Sequence, residues 1–512
     1  MFIAILIYFV FPLITLAYFY VKQKYSYWSY RNVAHPKPKF PLGNFSGIGS
    51  KYHITEIVQK CYKKYKKDNS AFGIYLTLGP MLIVNDLDVV KQILIKDFNK
   101  FHDRGVFYNE QNEPISAHLF AIEGEKWRYL RNKLSPTFTS GKIKAMFETM
   151  ASIGEQFVDV VNQSSDGQTA IDIKDLCQRF TSDVIGSCAF GLEYDSLHND
   201  NAKILEMSDR IFRPTVFRNI YILFMLAFKD LSVKLRLKQF PEDVADYFSH
   251  IIEDTVVYRE KNNVTRLDFL NLLIQLKNKG IIEDDEGNHN GADSHEKLTM
   301  NEIIAQSFIF FFAGFETSST TLSFALFNLA TNPDAQEKAR QEVQEVLSRH
   351  DGKITYTALQ EMKYIEQVIN ETLRIFPPVG LLIRIASESY KIPDKDLTID
   401  KGLQVLIPVH AIQNDPEIYP NPDKFDPDRF TPENIQSRHH CAFIPFGEGP
   451  RNCIGMRFAM LEVKFGIVQL LKTLKFTVSD KMQLPVQIDK RSQTAQVKGG
   501  IWLNATKNFT KK

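Results

Sequence analysis

Residues 446–455 read Phe-Gly-Glu-Gly-Pro-Arg-Asn-Cys-Ile-Gly. A single cysteine, Cys453, thus stands behind two glycines and an arginine and directly ahead of an apolar helical repeat. Ile454, Phe458, Leu461, Phe465 and Val468 follow a 3.6-residue spacing, which places Cys453 at a helix N-terminus. There, unpaired N–H groups and the helix dipole favour an ionised sulfur, the form that ligates metal. Gly447, Gly449 and Gly455 let the backbone turn tightly and approach a bound group closely. Arg451 can meet an anion, and Phe446 can shield the sulfur from water. The remaining cysteines (Cys61, Cys177, Cys188 and Cys441) are widely spread with no CxxC pair, so they read as small buried hydrophobes in a reducing compartment.

A second group of chemically capable residues lies within a helix. Thr299-x-x-Glu302 forms a capping box that opens a long helix with Ile304, Phe308, Phe311 and Phe315 on one face. Inside it, Ala313-Gly314-Phe315-Glu316-Thr317 sets two poor helix formers around an acid. A kink or close helix packing is the bland reading of Gly314 and Thr317, set against a chemical one. Glu371-x-x-Arg374 is uninformative by spacing alone, because Glu125/Arg128 and Glu337/Arg340 share it and read as ordinary surface pairs. Its context differs: Pro377-Pro378 follows it, and Arg429 lies between it and Cys453.

The elements that position these residues belong to a chain of 512 residues with 44% apolar residues, 39 of them Phe, and a net charge of +2. That composition is globular, and the balanced charge gives no sequence-wide field for nucleic acid. Residues 1–21 carry no charge and would span a bilayer core as a helix. Lys22, Lys24, Arg31, Lys37 and Lys39 follow, which puts the rest of the chain on the cytoplasmic side. A cleaved signal peptide is the competing reading, but it lacks a basic n-region and a small-residue cleavage site. Residues 22–45, basic and containing Pro36, Pro38 and Pro41, read as a stiff linker, and 46–512 as one large domain. Residues 72–84 predict two strands joined at Gly79-Pro80, and Asp400-Lys401-Gly402 predicts another hairpin. The polar run 283–296 predicts a solvated loop in which His289 and His295 are not metal ligands.

The 446–455 segment resembles the F-x-x-G-x-R-x-C-x-G signature of cytochromes P450 at every fixed position. Trp127-x-x-x-Arg131, Ala313–Thr317, Glu371-x-x-Arg374 and Pro427-Asp428-Arg429-Phe430 resemble further motifs of that family in the same order, with Asp428 where the family pattern has Glu. The texture of 101–105 and 310–321 is most similar to insect microsomal members. The resemblance implies a cytochrome P450 fold, mainly α with small β-sheets: a single large haem domain plus an N-terminal membrane anchor. It implies haem b, with Cys453 as the thiolate ligand of the iron and Phe446 beside it. Trp127, Arg131, Arg384 and Arg451, joined by Arg104, would bind the haem propionates. Gly314 would make room for dioxygen, Thr317 would hydrogen-bond it, and Glu316 would relay protons for O–O cleavage. Glu371, Arg374 and Arg429 would form a buried charge network that fixes the cysteine loop.

The expected reaction is insertion of one atom of O2 into a lipophilic substrate, a xenobiotic or an endogenous lipid or hormone. NADPH would supply electrons through a separate cytochrome P450 reductase, because the chain has no flavin or nicotinamide fingerprint. Cytochrome b5 is a further electron-donor candidate, and the endoplasmic reticulum membrane is the expected location. Phe120, the Phe212–Phe228 stretch, Phe308, Phe312 and Val379–Leu382 are expected to line the substrate cavity, with core packing as the alternative. Lys126, Arg128, Lys133, Arg457 and Lys464 are expected to face the reductase, with a solvated charge face as the alternative. Two rival functions are a haem-thiolate isomerase or dehydratase that needs no O2, and a haem-binding sensor without catalysis.

Overall fold

Thr299 accepts the backbone N–H of Glu302, and the Glu302 carboxylate accepts that of Thr299 at 3.0 Å. This closed capping box starts a helix of 32 residues, Met300–Thr331. The helix is buried on nearly every side, as expected when apolar residues surround the whole circumference. Helices Ser140–Ser165, Ile173–Ile185, Glu242–Lys261, Lys363–Ile375 and Met456–Leu471 pack around it or against one another. Their apolar faces merge into one core that runs from Phe98 to Ala505. The computed structural model describes residues 2–165, 169–199, 202–281, 297–393 and 395–507, with side chains from Val10 onward except Asp68. The expected loop at 283–296, with His289 and His295, lies outside the described residues.

The strands are β1 (Ala71–Leu76), β2 (Gly79–Val84), β3 (Ile171–Asp172), β4 (Leu382–Ile385), β5 (Tyr390–Lys391), β6 (Thr398–Ile399), β7 (Gln404–Ile407), β8 (Leu474–Val478) and β9 (Trp502–Lys507). They form small sheets of order β1-β2-β7-β4, β3-β9-β8 and β5-β6; the first and third cover a second, smaller apolar core, while β3-β9-β8 packs on the main one. The first hairpin turns at Thr77-Leu78, not at Gly79-Pro80: Leu76 pairs with Gly79, and Thr77 takes the positive φ of 52°. Pro80, near the start of β2, opens the strand instead of breaking it. The hairpin expected at Asp400–Gly402 does not form. Gly402, with φ 83°, passes the chain from β6, paired with β5, to β7, which runs between β2 and β4.

The N-terminal helix spans Phe2–Tyr25 and leaves Val10, Phe11, Leu13, Ile14, Leu16 and Phe19 exposed. Among the described residues, no helix is long and apolar enough to cross a membrane. The segment expected as a linker is partly packed into the domain. Trp28 is fully buried, donates its indole N–H to Ile74 O at 3.1 Å, and lies where a side chain on Gly73 would clash with its ring. Arg31 and Tyr27 both reach Asp400. The packed domain therefore extends N-terminal of residue 46.

Candidate active site

The cysteine loop is built from its turns. Gly447 and Gly449 both have φ of 72°, and a Cβ on Gly449 would sit 1.9 Å from Leu94 O. Gly455 has φ −90° and open space beside it, so no backbone constraint demands glycine there. Its contribution is the N–H that reaches the Cys453 sulfur. Cys453 donates its own N–H to Phe446 O at 2.8 Å and immediately precedes the 456–471 helix. The sulfur residue is exposed by surface area, yet burial pushes its thiol up, against the Gly455 N–H and the nearby Arg131 and Arg104 charges. Cys453 thus keeps accessible surface although protein atoms crowd around its sulfur. A cation bound there would displace the proton and reverse that shift.

Four guanidinium groups gather beside the loop. Arg131 donates to Asn452 O at 3.1 Å and Asn452 Oδ1 at 2.9 Å. Arg104 donates to Arg451 O and Phe120 O, each at 3.0 Å. Arg451 donates to His102 O and Ile122 O, and lies 4.0 Å over the Trp127 ring. Arg384 is buried in β4, with burial pulling it down to about 10. Burial also lowers Arg451, to about 9, and holds Arg104 well below its ordinary value, with the other three arginines adding to the effect. Among the described residues, only Asp103 forms an ion pair with any of them, at 3.3 Å from Arg451. Arg451 Nη1 and Arg384 Nε are buried with no hydrogen-bond partner. Buried, mutually repelling cations with unused donors fit a dianionic ligand such as the two propionates of a haem.

In the long helix, Ala313 is exposed and Gly314 and Thr317 are part-exposed, while Phe312, Phe315, Glu316 and Ser318 are buried. Thr317 Oγ1 donates to Ala313 O at 2.6 Å, leaving its lone pairs free. Glu316 is turned into the protein instead. Lys174 Nζ lies 3.1 Å from its Oε1, Thr320 and Thr494 hydroxyls donate to the same oxygen, and Gln178 donates to Oε2 at 3.0 Å. Burial disfavours this carboxylate, but Lys174 and the surrounding donors outweigh it and hold Glu316 below the usual range. A cleft of about 320 Å³ lined by Lys174 and Gln178 adjoins this network. Gly314 lies on the same accessible stripe as Ala313 and Thr317, and a Cβ there would approach the tip of Ile185 on the 173–185 helix at 2.9 Å.

Behind the cysteine loop, Glu371 accepts Arg374 Nε at 2.7 Å and Nη2 at 2.9 Å, plus the Asp426 N–H at 2.9 Å. Arg429 Nε is 3.4 Å away. Arg374 also donates to Gln413 O, and Gln413 Oε1 accepts the Ile444 N–H at 3.0 Å. Hydrogen bonds thus connect the 363–375 helix to the segment that leads into Cys453. Glu125/Arg128 is an exposed pair, whereas Arg340 of the other pair is buried.

The residues expected around the cavity and at the partner face divide. Phe308 and Phe312 follow the core-packing alternative, in a cluster with Phe240, Phe248 and Phe311, whereas Phe120, under the Arg104 guanidinium, and Val379 keep accessible surface. Lys133 and Lys464 are buried, Lys464 against Glu366 and Leu359 O, so neither presents its charge to a partner; Arg128 and Arg457 remain exposed. The residues that sequence reasoning missed are Lys174, Gln178, His102, Asp103 and Asn452. None has a local signal, because each meets its site partner only through the fold.

A model of the family described as Cytochrome P450 matches residues 33–502. Probable cytochrome P450 6a14 of Drosophila melanogaster is 43% identical over 495 residues, 95% of this chain and 96% of that protein. Cytochrome P450 6A1 of Musca domestica is 41% identical over 497 residues, 96% of each chain. Cytochrome P450 6a2 of Drosophila melanogaster is 39% identical over 493 residues, 95% of this chain and 96% of that one.

Proposed function

Because this chain belongs to the cytochrome P450 family, we propose that it is a haem-thiolate monooxygenase that inserts one atom of O2 into a lipophilic substrate, with Cys453 as the iron ligand. The observation that carries this reading is the pairing of Cys453, accessible just ahead of a helix, with buried guanidiniums that hold unused donors. When bound, haem supplies the reductive activation of dioxygen. Arg131, Arg384, Arg451 and Arg104 would hold its propionates. Trp127 supports Arg451 by stacking, and Phe446 positions Cys453 through its carbonyl.

Thr317 keeps two lone pairs toward the open stripe of the long helix and would orient water there. Glu316, one residue away, stays ionised on Lys174 and adjoins the 320 Å³ cleft. To carry a proton toward Thr317, its side chain must leave Lys174, which makes Lys174 the brake on that transfer. Electrons would come from NADPH through a separate flavoprotein reductase, with Arg128 and Arg457 among the exposed cations available to it.

The 2–25 helix, with its exposed apolar side chains and Lys22 and Lys24 in the last turn, would anchor the chain in the endoplasmic reticulum membrane, catalytic domain toward the cytoplasm. Resistance of the expressed protein to alkaline carbonate extraction is expected, and its full release would remove the anchor. Reconstitution with reductase, NADPH and isotopically labelled O2 tests the reaction against a panel of lipophilic toxins, steroids and terpenoids. Label in the product is expected. Turnover without O2 or NADPH would instead make the chain an isomerase or dehydratase.

A further inference from the structure

Asp103 meets the elements that carry all four guanidinium groups beside the cysteine loop. Its carbonyl accepts the Ile385 N–H at 2.9 Å, next to Arg384 in β4. Its Oδ1 accepts the Gly124 N–H at 2.8 Å, the first amide of helix Gly124–Leu134, which carries Trp127 and Arg131. Glu123, at the cap position of that helix, makes no side-chain bond to it, so Asp103 caps it from another part of the chain. The same Oδ1 lies 3.3 Å from Arg451 Nη2, and Arg104 follows directly in sequence.

These bonds fix what each arginine has left to offer. Arg451 gives Nε to His102 O at 2.7 Å and Nη2 to Ile122 O at 2.9 Å and to Asp103, which leaves Nη1 as its open donor. Asp103 also sets the charge. Four guanidiniums outweigh two propionates by two charges, and the one carboxylate paired with them among the described residues halves that excess. The Asp103 side chain is 19% exposed and that of Arg451 is buried, so solvent screens the pair only weakly. Reducing ferric haem adds an electron, which surrounding positive charge favours and Asp103 opposes. The His102 imidazole lies 2.8 Å from the same carboxylate and is part-exposed.

Resting on the monooxygenase reading above, we propose that Asp103 is a positioning residue for the propionate-binding arginines. Its charge also holds the haem iron at a lower reduction potential than the four guanidiniums alone would set.

The test measures the reduction potential of full-length, haem-loaded wild type, Asp103→Asn and Asp103→Ala by spectroelectrochemistry, together with haem transfer to apomyoglobin. Asparagine keeps an oxygen for the Gly124 N–H and loses the charge. Its ferric–ferrous equilibrium should move about fivefold toward the ferrous form, equivalent to about 41 mV upward for one electron. Haem transfer from this variant should stay close to the wild-type rate. Alanine should raise the potential as well and speed haem transfer at least about tenfold, because the helix amide and Arg451 both lose their acceptor. In a His102→Gln background the Asp103→Asn shift should be the same, since the carboxylate acts without the imidazole. A shift in Asp103→Asn below about 1.5-fold, equivalent to about 10 mV, overturns the proposal, because Asp103 then serves only as a cap. Wild-type haem retention in Asp103→Ala overturns it too. If Asp103→Ala takes up no haem, the potential of the asparagine variant decides. A reduced-CO spectrum without thiolate character in the wild type sinks the monooxygenase reading instead, so the two failures are distinguishable.

Discussion

Replacing Glu371 with alanine should detach the haem site from its support. Glu371 and Arg374 are both fully buried, and the carboxylate takes two guanidinium N–H groups, the Asp426 N–H and the approach of Arg429. Without it, Arg374 keeps its bonds to Gln413 O and Pro422 O, but two of its donors face protein with nothing to accept them. Removing one partner of a buried ion pair costs about 3–5 kcal/mol. Set against a typical net stability of about 5–15 kcal/mol, that is a large fraction. The damage should concentrate on the cysteine loop, because Gln413 carries the connection from Arg374 to Ile444. The assay is haem bound per polypeptide together with urea unfolding of the purified variant. Haem content should fall at least about tenfold, and stability by the amount given. Glu371→Gln, which keeps an acceptor, should lose less. Wild-type haem content with a stability change below about 1 kcal/mol would refute the reasoning.

Thr317→Ala should uncouple turnover, raising peroxide released per NADPH consumed; unchanged coupling would strip Thr317 of its role. Lys174→Met should remove the largest influence keeping Glu316 ionised, leaving burial opposed only by neutral donors such as Thr320 and Gln178, so the carboxyl should rise. In the wild type the depressed Glu316 contributes stability above the ordinary carboxylate value of 4.5, and that contribution is lost as pH falls through the folded value. The variant should lose this acid-range dependence in pH-dependent unfolding and shift its turnover profile to more alkaline pH. Gly314→Ala meets only the flexible tip of Ile185, so the fold should tolerate it while peroxide release per NADPH rises; unchanged coupling would strip Gly314 of the dioxygen role expected from sequence.

Features encoded by local spacing were legible in the sequence. The capping box at Thr299, the helix after Cys453 and the Glu371/Arg374 pair all depend on residues three or four apart, and each has the expected local geometry. Reading failed where a residue's partner lies far along the chain. Lys174 gives no hint that it meets Glu316, 142 residues away. The contact of Gly314 with Ile185, 129 residues earlier, is equally invisible in the sequence. The Asp400–Gly402 turn looks like a hairpin locally, but strand pairing is settled by β2, β4 and β5, which no local pattern names. Phe308 and Phe312 were drawn into the core by other phenylalanines that only the fold brings near.

The most direct measurement is the absorption spectrum of the haem-loaded, dithionite-reduced protein under carbon monoxide, in wild type and in Cys453→Ala. A thiolate-type, red-shifted Soret band is expected in the wild type and should be missing from the variant. A wild-type band of the histidine-ligated kind, or a thiolate band that survives loss of Cys453, would contradict the assignment.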